Sequence, residues 1–553
     1  MMKKITLLAM CIAMGIGAMW AQVDVSEKEP VSPRKVLTKG EVLTTIDGSE
    51  YVLVNDSYAE LYSAKDVTGT FTIPASVKNG GKTYPVTGIR GYAFEKTNAT
   101  TVNTGDALVK IWKSAFSSSQ LQVVNLGAGV TNIEAPAFNT QSLTAVNVAS
   151  GNNNFASQDG VLYNKAKTTL LAYPASKSTG SVSMASTVQI IERKSFSGAI
   201  MSTLTLPSSV TLIKESAFEY CNNLKTADLG SNLKELEGMV FYQCPSLQKV
   251  TLPATFEKMG TSVFAGCTSL QSIDVSASNK WYTTVDGVMY SKDKKTICIC
   301  PAGKTGDFVI PDGTETVGTA AFNGCKLLKN IQIPNSVTRI EALAFASCWF
   351  ESITIPNSVT VLAPRTFMYS NSLHDIKLSE NITEIGVSTF EGCFSLSSIT
   401  IPDKVTTIGG YAFSGCSALR TVTFGTSITE YLETSVFNRC NNVKTVYVRS
   451  KNPVQFISTY FPNTYNIGLY VPRGCAAAYK KVSGWSWFDS ITEYDPEYAG
   501  DVNADSDVNV TDVTSLINHI LGNASFEAKR CDVNEDSKVD VSDVTSLINL
   551  LLY

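Results

Sequence analysis

Histidine is nearly missing from this sequence: 553 residues hold two, His374 and His519. There is also no Gly-x-Ser-x-Gly elbow, no His-Glu-x-x-His pair and no glycine-rich phosphate loop. Nucleophilic hydrolysis through a Ser-His pair, zinc peptidase chemistry and phosphoryl transfer therefore lack their usual carriers. Carboxylate pairs can act without histidine, as in glycoside hydrolases, so that single catalytic route stays open. No two cysteines have CxxC spacing and no histidine stands beside them, which argues against a zinc site.

An excess of either charge is small as well. The formal net charge is -4, and residues 500–553 alone hold ten Asp or Glu against three Lys or Arg. With Lys3 and Lys4 set aside, the remaining body is close to neutral, and a nucleic-acid binder would need a concentrated basic stripe to displace phosphate counterions. Beyond the N-terminus no stretch approaches 18 uninterrupted apolar residues, so no direct membrane span is expected. The N-terminus itself reads "MMKK", then a short apolar run ending in the small residue Ala21. This is the pattern of a signal peptide over residues 1–21 and of a secreted product, with lipidation at Cys11 as the alternative.

What the sequence does have is repetition. "LPSSVTLIKESAFEYC", "IPNSVTRIEALAFASC" and "IPDKVTTIGGYAFSGC" share an Ile/Leu-Pro, a Val-Thr and an Ala-Phe. The Phe recurs at 94, 116, 138, 196, 218, 241, 264, 322, 345, 367, 390, 413 and 437, mostly 22 to 24 apart and twice 58 apart. A period of this size marks a solenoid, whose units bury their apolar faces only by stacking. Segments such as "LSSITIP" alternate apolar and polar residues and end at Pro, the pattern of a short strand. At ~4.8 Å per rung, thirteen repeats would build a rod of roughly 60 Å or more. The two long gaps carry "DGVLYNKAKTTLLAYPASK" from Asp159 and "DGVMYSKDKKTICICPAGK" from Asp286, each a β-hairpin pattern that caps or widens a block.

Eight of the thirteen cysteines sit three residues after the repeat Phe, where other repeats hold Thr97, Ser119, Gln141, Ala199 and Ser370. Mostly small replacements describe a tight buried slot in which Cys acts as a small hydrophobe. Disulfides between adjacent rungs are the alternative in an exported chain. Cys298 and Cys300 match Leu171 and Tyr173 of the sister hairpin and read as strand packing. Trp112, Trp281, Tyr282 and Trp349 are candidates for a sugar-binding strip, with ordinary packing as the default.

The C-terminus is written almost twice, "DVNADSDVNVTDVTSLINHIL" from Asp501 and "DVNEDSKVDVSDVTSLINLLL" from Asp532, displaced by 31 residues. Calcium takes six to eight oxygens, supplied in an EF-hand-like loop from positions 1, 3, 5, 7, 9 and 12. Those positions are Asp501, Asn503, Asp505, Asp507 by its carbonyl, Asn509 and Asp512. In the second copy they are Asp532, Asn534, Asp536, Lys538 by its carbonyl, Asp540 and Asp543. Each closing Asp opens an apolar helical run, so two calcium ions are expected. Serine stands at the sixth loop position as Ser506 and Ser537, where a φ above zero would cost about 1 kcal/mol and weaken the sites.

Over roughly residues 40–495 the period, the Ile-Pro, the Ala-Phe and the following Cys together resemble the leucine-rich repeats of BspA-type bacterial surface proteins. "LYVPRGCAAAYKKVSGWSWFDSITEY" (469–494) resembles the cap that closes such proteins. Residues 500–553 resemble a type I dockerin. The resemblance implies a repeat solenoid of short parallel strands with hairpin insertions over residues 22–495 and a small all-α calcium-binding dockerin over 499–553. It also implies adhesion to a host or microbial protein or glycan, and docking onto a cohesin domain of a scaffold protein. In dockerins the pair before the closing Asp meets the partner; here the pairs are Val510 with Thr511 and Val541 with Ser542. Asn518 and Asn549 stand where relatives often carry Lys or Arg, which implies weak salt dependence. The expected function is non-enzymatic binding outside the cell; a polysaccharide hydrolase or lyase on a solenoid is the alternative.

Overall fold

The computed structural model describes residues 42–553, apart from 47, 55–56, 118–119, 178, 429–434, 454–460, 462–465, 489, 495–501, 504–509, 527, 534–537 and 553. The expected signal peptide and Cys11 lie outside the described residues. Each repeat contributes one longer strand, such as Lys249–Leu252, and one two-residue strand, such as Lys258–Met259. Both kinds pair in parallel with their counterparts in adjacent repeats, in register and without slippage over most rungs. The alternation seen in the sequence becomes burial: in Lys249–Leu252 the residues Val250 and Leu252 are fully buried, and Lys249 and Thr251 are exposed.

Between the two strands the repeat Phe rings form internal stacks, interrupted at the two 58-residue steps. Phe345, Phe367, Phe390, Phe413 and Phe437 follow one another with ring centroids 5.5, 5.3, 5.2 and 5.2 Å apart and planes within 12° of parallel. That spacing is the rung height plus a small tilt, so an aromatic column runs along this stretch of the core. The first repeats, which lack the Cys, stack equally: Phe94–Phe116 at 5.0 Å and Phe116–Phe138 at 5.1 Å.

The hairpin segments turn out to be three-stranded antiparallel meanders, and the described residues hold three of them. Strands Phe155–Gln158, Val161–Asn164 and Thr169–Ala172 form one, and Tyr282–Val285, Val288–Ser291 and Thr296–Ile299 another. The third is the N-terminal cap itself, Val42–Ile46, Ser49–Val54 and Tyr58–Ser63, which the repeat period alone did not identify. Its signal was present in the sequence as Asp47-Gly48, the same dipeptide as Asp159-Gly160 and Asp286-Gly287. Gly48, Gly160 and Gly287 all have φ between 75° and 80°, as two-residue hairpin turns require.

Each meander opens a new ladder of short strands, so the solenoid consists of three blocks with three separate cores. The internal meanders are two-sided partitions. Leu162 and Ala172 face the first core while Val161, Tyr163 and Leu170 face the second; Met289 faces the second while Val288, Tyr290 and Ile297 face the third. Strand alternation produces this in Val161–Asn164 and Val288–Ser291, and a register shift in the third strand sends Leu170 and Ala172 to opposite sides. At the far end, strands Gly468–Pro472 and Ser490–Tyr494 extend the long ladder, helix α1 (Ala476–Lys480) covers it, and Tyr479, Trp485 and Phe488 close the last core. The tail that follows is helical, with α2 (Val510–Ile520), α3 (Ala528–Cys531) and α4 (Val541–Leu552).

Candidate functional site

The tail folds around a small core of Val502, Leu516, Cys531 and Leu547, against which Val513, Val533 and Val544 pack. α2 and α4 lie against each other, and the duplication is visible in their hydrogen bonds. Thr514 Oγ1 and Ser515 Oγ donate to the carbonyls of Val510 and Thr511 at 3.2 and 2.8 Å. Thr545 Oγ1 and Ser546 Oγ donate to those of Val541 and Ser542 at 3.2 and 3.0 Å.

Of the proposed calcium ligands, Asp501, Asp505, Asp507, Asn509, Asn534 and Asp536 lie outside the described residues. Asn503, Asp512, Asp532, Lys538, Asp540 and Asp543 are described. Asp512 and Asp543 are both fully buried in the first turns of their helices. In the first copy the Asn503 N–H donates to Asp512 Oδ1 at 3.1 Å, which folds loop position 3 onto position 12. In the second the Asp540 N–H donates to Asp543 Oδ2 at 2.9 Å, drawing position 9 onto position 12. The Ser542 hydroxyl and N–H hold Asp540's carboxyl below its usual pKa, while burial, followed by the charge of Asp543, pushes the Cys531 thiol up.

A buried carboxylate is costly to enclose unless charge and hydrogen bonds compensate it. Two of them at equivalent helix starts, in a donor set made of oxygen alone, fit a hard cation such as calcium. Asn503 Nδ2 also donates to Thr511 Oγ1 at 2.9 Å, tying a proposed ligand to a proposed partner residue. Val510 and Val541 are 72% and 69% exposed, and Thr511 and Ser542 beside them are exposed too, so both copies present the same apolar and hydroxyl pair. Asn518 is half-buried; the side chain of Asn549 lies outside the described residues.

In the solenoid the proposed aromatic strip is not brought together. Trp112 lies on the short-strand side, with Lys110 Nζ 3.2 Å from its ring centroid and its Nε1 donating to Glu60 Oε1 at 3.3 Å. Trp349 sits in the turn after Cys348 with Lys326 5.1 Å above it, and Trp281 and Tyr282 open the second internal meander. A different aromatic surface appears instead on the long-strand face. Thr423, Tyr447, Tyr470 and Thr492 stand in register across four strands, and the two tyrosine rings stack at 4.8 Å. The sequence also missed a cleft of about 230 Å3 between the second and third blocks, lined by residues 259–265, 298–300 and 318–320. Its only sequence trace was the 58-residue step from Phe264 to Phe322.

The twelve described cysteines are free thiols. Cys221, Cys244, Cys267, Cys348, Cys393, Cys416 and Cys440 each donate to the carbonyl of the Phe one rung back, at 3.0 to 3.2 Å. The slot therefore wants a small donor as well as a small volume. Cys300 faces the third core and Cys298 packs on the second, so both pack as strand residues; two apart, they reach opposite sides because the register shifts between Ile297 and Ile299.

Residues 71–166, 172–285, 302–420 and 384–468 match the BspA type leucine rich repeat region in six copies, and residues 499–552 match the dockerin type I domain. A leucine-rich cell surface protein from Faecalibacterium prausnitzii is similar in structure at 23% identity, covering 73% of this chain and 94% of that one, with a TM-score of 0.42. The pneumococcal vaccine antigen PcpA is similar at 18% identity over 82% of this chain and 99% of that one, with a TM-score of 0.40. A leucine-rich repeat protein from Eubacterium ventriosum gives 18% identity over 76% and 90%, with a TM-score of 0.35. Comparison with curated proteins gives no match.

Proposed function

We propose that this chain, which belongs to the BspA-type leucine-rich repeat family and carries a type I dockerin match at residues 499–552, is an exported, non-catalytic binding protein held in an extracellular assembly by its tail. In this reading residues 1–21 direct export, 22–495 form the recognition rod with its caps, and 499–553 dock onto a cohesin domain. Two calcium ions fix the starts of α2 and α4. Asp501, Asn503, Asp505, Asp507, Asn509 and Asp512 hold one ion, and Asp532, Asn534, Asp536, Lys538, Asp540 and Asp543 hold the other. Calcium here supplies charge neutralisation and loop closure, while the chain's own residues make the partner surface.

The observation that carries the reading is the pair of fully buried aspartates, Asp512 and Asp543, each placed directly after an exposed apolar and hydroxyl pair. The rod's ligand is a host or microbial protein or glycan, and the face with Tyr447 and Tyr470 is one surface that could receive it. The test is capture of cohesin-bearing proteins from a native secretome by the full chain and by a chain ending at residue 495, in calcium and in chelator. Capture by the full chain in calcium alone supports the tether. Release of reducing sugar from mixed polysaccharides by the same full chain would replace the binding role with a catalytic one.

A further inference from the structure

In the unbroken rungs, three backbone N–H groups tie each Phe loop to the next: those two residues before the Phe, at the Phe, and two after it. Ser216, Phe218 and Tyr220 donate to the carbonyls of Gly238, Val240 and Tyr242 at 3.0, 2.9 and 2.9 Å. Met239, Phe241 and Gln243 donate to those of Thr261, Val263 and Ala265 at 2.9, 2.9 and 2.8 Å. Beyond the second internal meander the pattern resumes, with Ala320, Phe322 and Gly324 donating to Ala342, Ala344 and Ala346 at 2.9, 2.8 and 2.9 Å.

Between these rungs the pattern fails. The N–H groups of Ser262, Phe264 and Gly266 meet no acceptor among the described residues. The chain that follows is the meander, which opens a new short-strand ladder and brings no Phe loop. Ser262 is 8% exposed and Phe264 3%, so the donors sit at a largely enclosed wall, where unpaired backbone groups are rare. The first junction leaves fewer such donors: Pro136 takes the place of Ser262 and has no N–H, the Thr140 N–H is satisfied by the Phe138 carbonyl at 2.9 Å, and of the three only the Phe138 N–H lacks an acceptor among the described residues.

The vacancy coincides with the cleft of about 230 Å3. Ser262, Val263 and Phe264 form one wall, and Gly318, Thr319 and Ala320 part of the other. The carbonyl of Thr319 receives no N–H among the described residues, whereas the equivalent Thr261 carbonyl accepts from Met239 at 2.9 Å. One end is closed by Asn323 Nδ2, which donates to Ser262 Oγ at 2.9 Å, and by Gly324, where an added methyl would stand 3.1 Å from the Gly266 nitrogen. Donors on one wall and an acceptor on the other, at the pitch of a ladder that elsewhere holds peptide, describe a missing piece of backbone.

We propose that this cleft binds a short stretch of extended polypeptide whose carbonyls accept from the Ser262 and Phe264 N–H groups, as the carbonyls of a further rung do elsewhere in the solenoid. The volume lies below the ~300 Å3 at which drug-sized ligand sites begin, so the occupant is a few residues with small side chains. A saccharide also carries acceptors, but its hydroxyls do not repeat at the alternate-residue spacing of these donors. The inference rests on the rod being a binding scaffold. A rod that used another face would keep its ligand after the cleft is filled, so failure of the cleft and failure of the scaffold reading are distinguishable.

The test is hydrogen exchange on the full chain, read by mass spectrometry at residues 262–266 and at the paired loop 216–220, alone and with two probes. One probe is a library of end-blocked tetrapeptides of Gly, Ala, Ser, Thr and Val; the other is an N-acetylglucosamine tetramer. Without probe, 262–266 should exchange about tenfold or more faster than 216–220. Members of the peptide library should slow it, and the saccharide should not. Cys298→Phe, which fills the cleft from a place that holds Leu171 in the first internal meander, should abolish the peptide effect and leave exchange at 216–220 unchanged. Equal exchange in the two loops, no slowing by any peptide, slowing by the saccharide instead, or peptide protection that survives Cys298→Phe would each overturn the proposal.

Discussion

The thiol of Cys348 donates to the carbonyl oxygen of Phe322, one rung away, at 3.1 Å, and in the next rung Ser370 Oγ makes the same bond to the Phe345 carbonyl at 2.8 Å. A residue chosen at first sight for its size is thus also chosen for its proton. Thr97 fills the slot in an early rung and its hydroxyl donates to the Ala64 carbonyl at 2.7 Å.

Cys348→Ser should therefore be nearly neutral in denaturant unfolding. Cys348→Val, similar in volume but without a donor, should cost roughly 1 kcal/mol because a buried carbonyl loses its partner. Phe345→Ala should cost ~3–5 kcal/mol, since it opens the aromatic column between Phe322 and Phe367. A Cys348→Ser loss as large as the Phe345→Ala loss would contradict the slot's chemistry.

Burial pushes the Cys393 and Cys298 thiols up to about 12 from an ordinary 9.0. A group whose pKa is raised by folding contributes stability that is full below its unfolded value and declines as pH rises toward its folded value. Stability of the solenoid should accordingly be flat below about pH 9 and fall between pH 9 and 12. Urea unfolding midpoints across that range check it, and native thiols should resist alkylation at pH 8.

Two loop positions per repeat hold φ near +60°, and one of them is glycine in some rungs only. Gly324, at φ 78°, should lose about 1 kcal/mol or more on substitution by Ala, both from backbone strain and from the close Gly266 nitrogen. Ser347, the equivalent residue at φ 55° in the next rung, should tolerate Gly with no loss. Thermal unfolding of the two variants distinguishes them by sign.

Four aspartates in loop 501–512 and five carboxylates in loop 532–543 repel one another without a cation. Hydrogen exchange in α2 and α4 should be slow in calcium and fast in chelator, while the solenoid is unaffected. Asp512→Ala and Asp543→Ala should each raise the calcium needed for protection of its own helix.

Because Val510 with Thr511 and Val541 with Ser542 are equivalent exposed pairs, a half-turn of the tail offers nearly the same face. Replacing Thr511 alone or Ser542 alone by Arg should leave most cohesin capture, and replacing both should abolish it. Weak salt dependence is expected with Asn at 518 and 549. Complete loss from one substitution would show that a single copy serves.

The period of the Phe, the Pro-ended strands and the duplicated tail were legible because each is a local pattern: alternation fixes which side chains turn inward, and equal spacing lets equal residues stack. The matching places of Asp512 and Asp543 in the two copies were legible for the same reason; that both are fully buried was not. The Cys bond to the preceding rung's Phe carbonyl, the division into three cores by two-sided meanders, and the stacking of Tyr447 on Tyr470 required the third dimension. Each joins residues from different rungs, and which rungs are neighbours is set by where the meanders interrupt the ladder. The unpaired amides of Ser262, Phe264 and Gly266 show this most plainly. The same loop sequence pattern is satisfied in Ser216, Phe218 and Tyr220, and only the absence of a following Phe loop leaves the later one open.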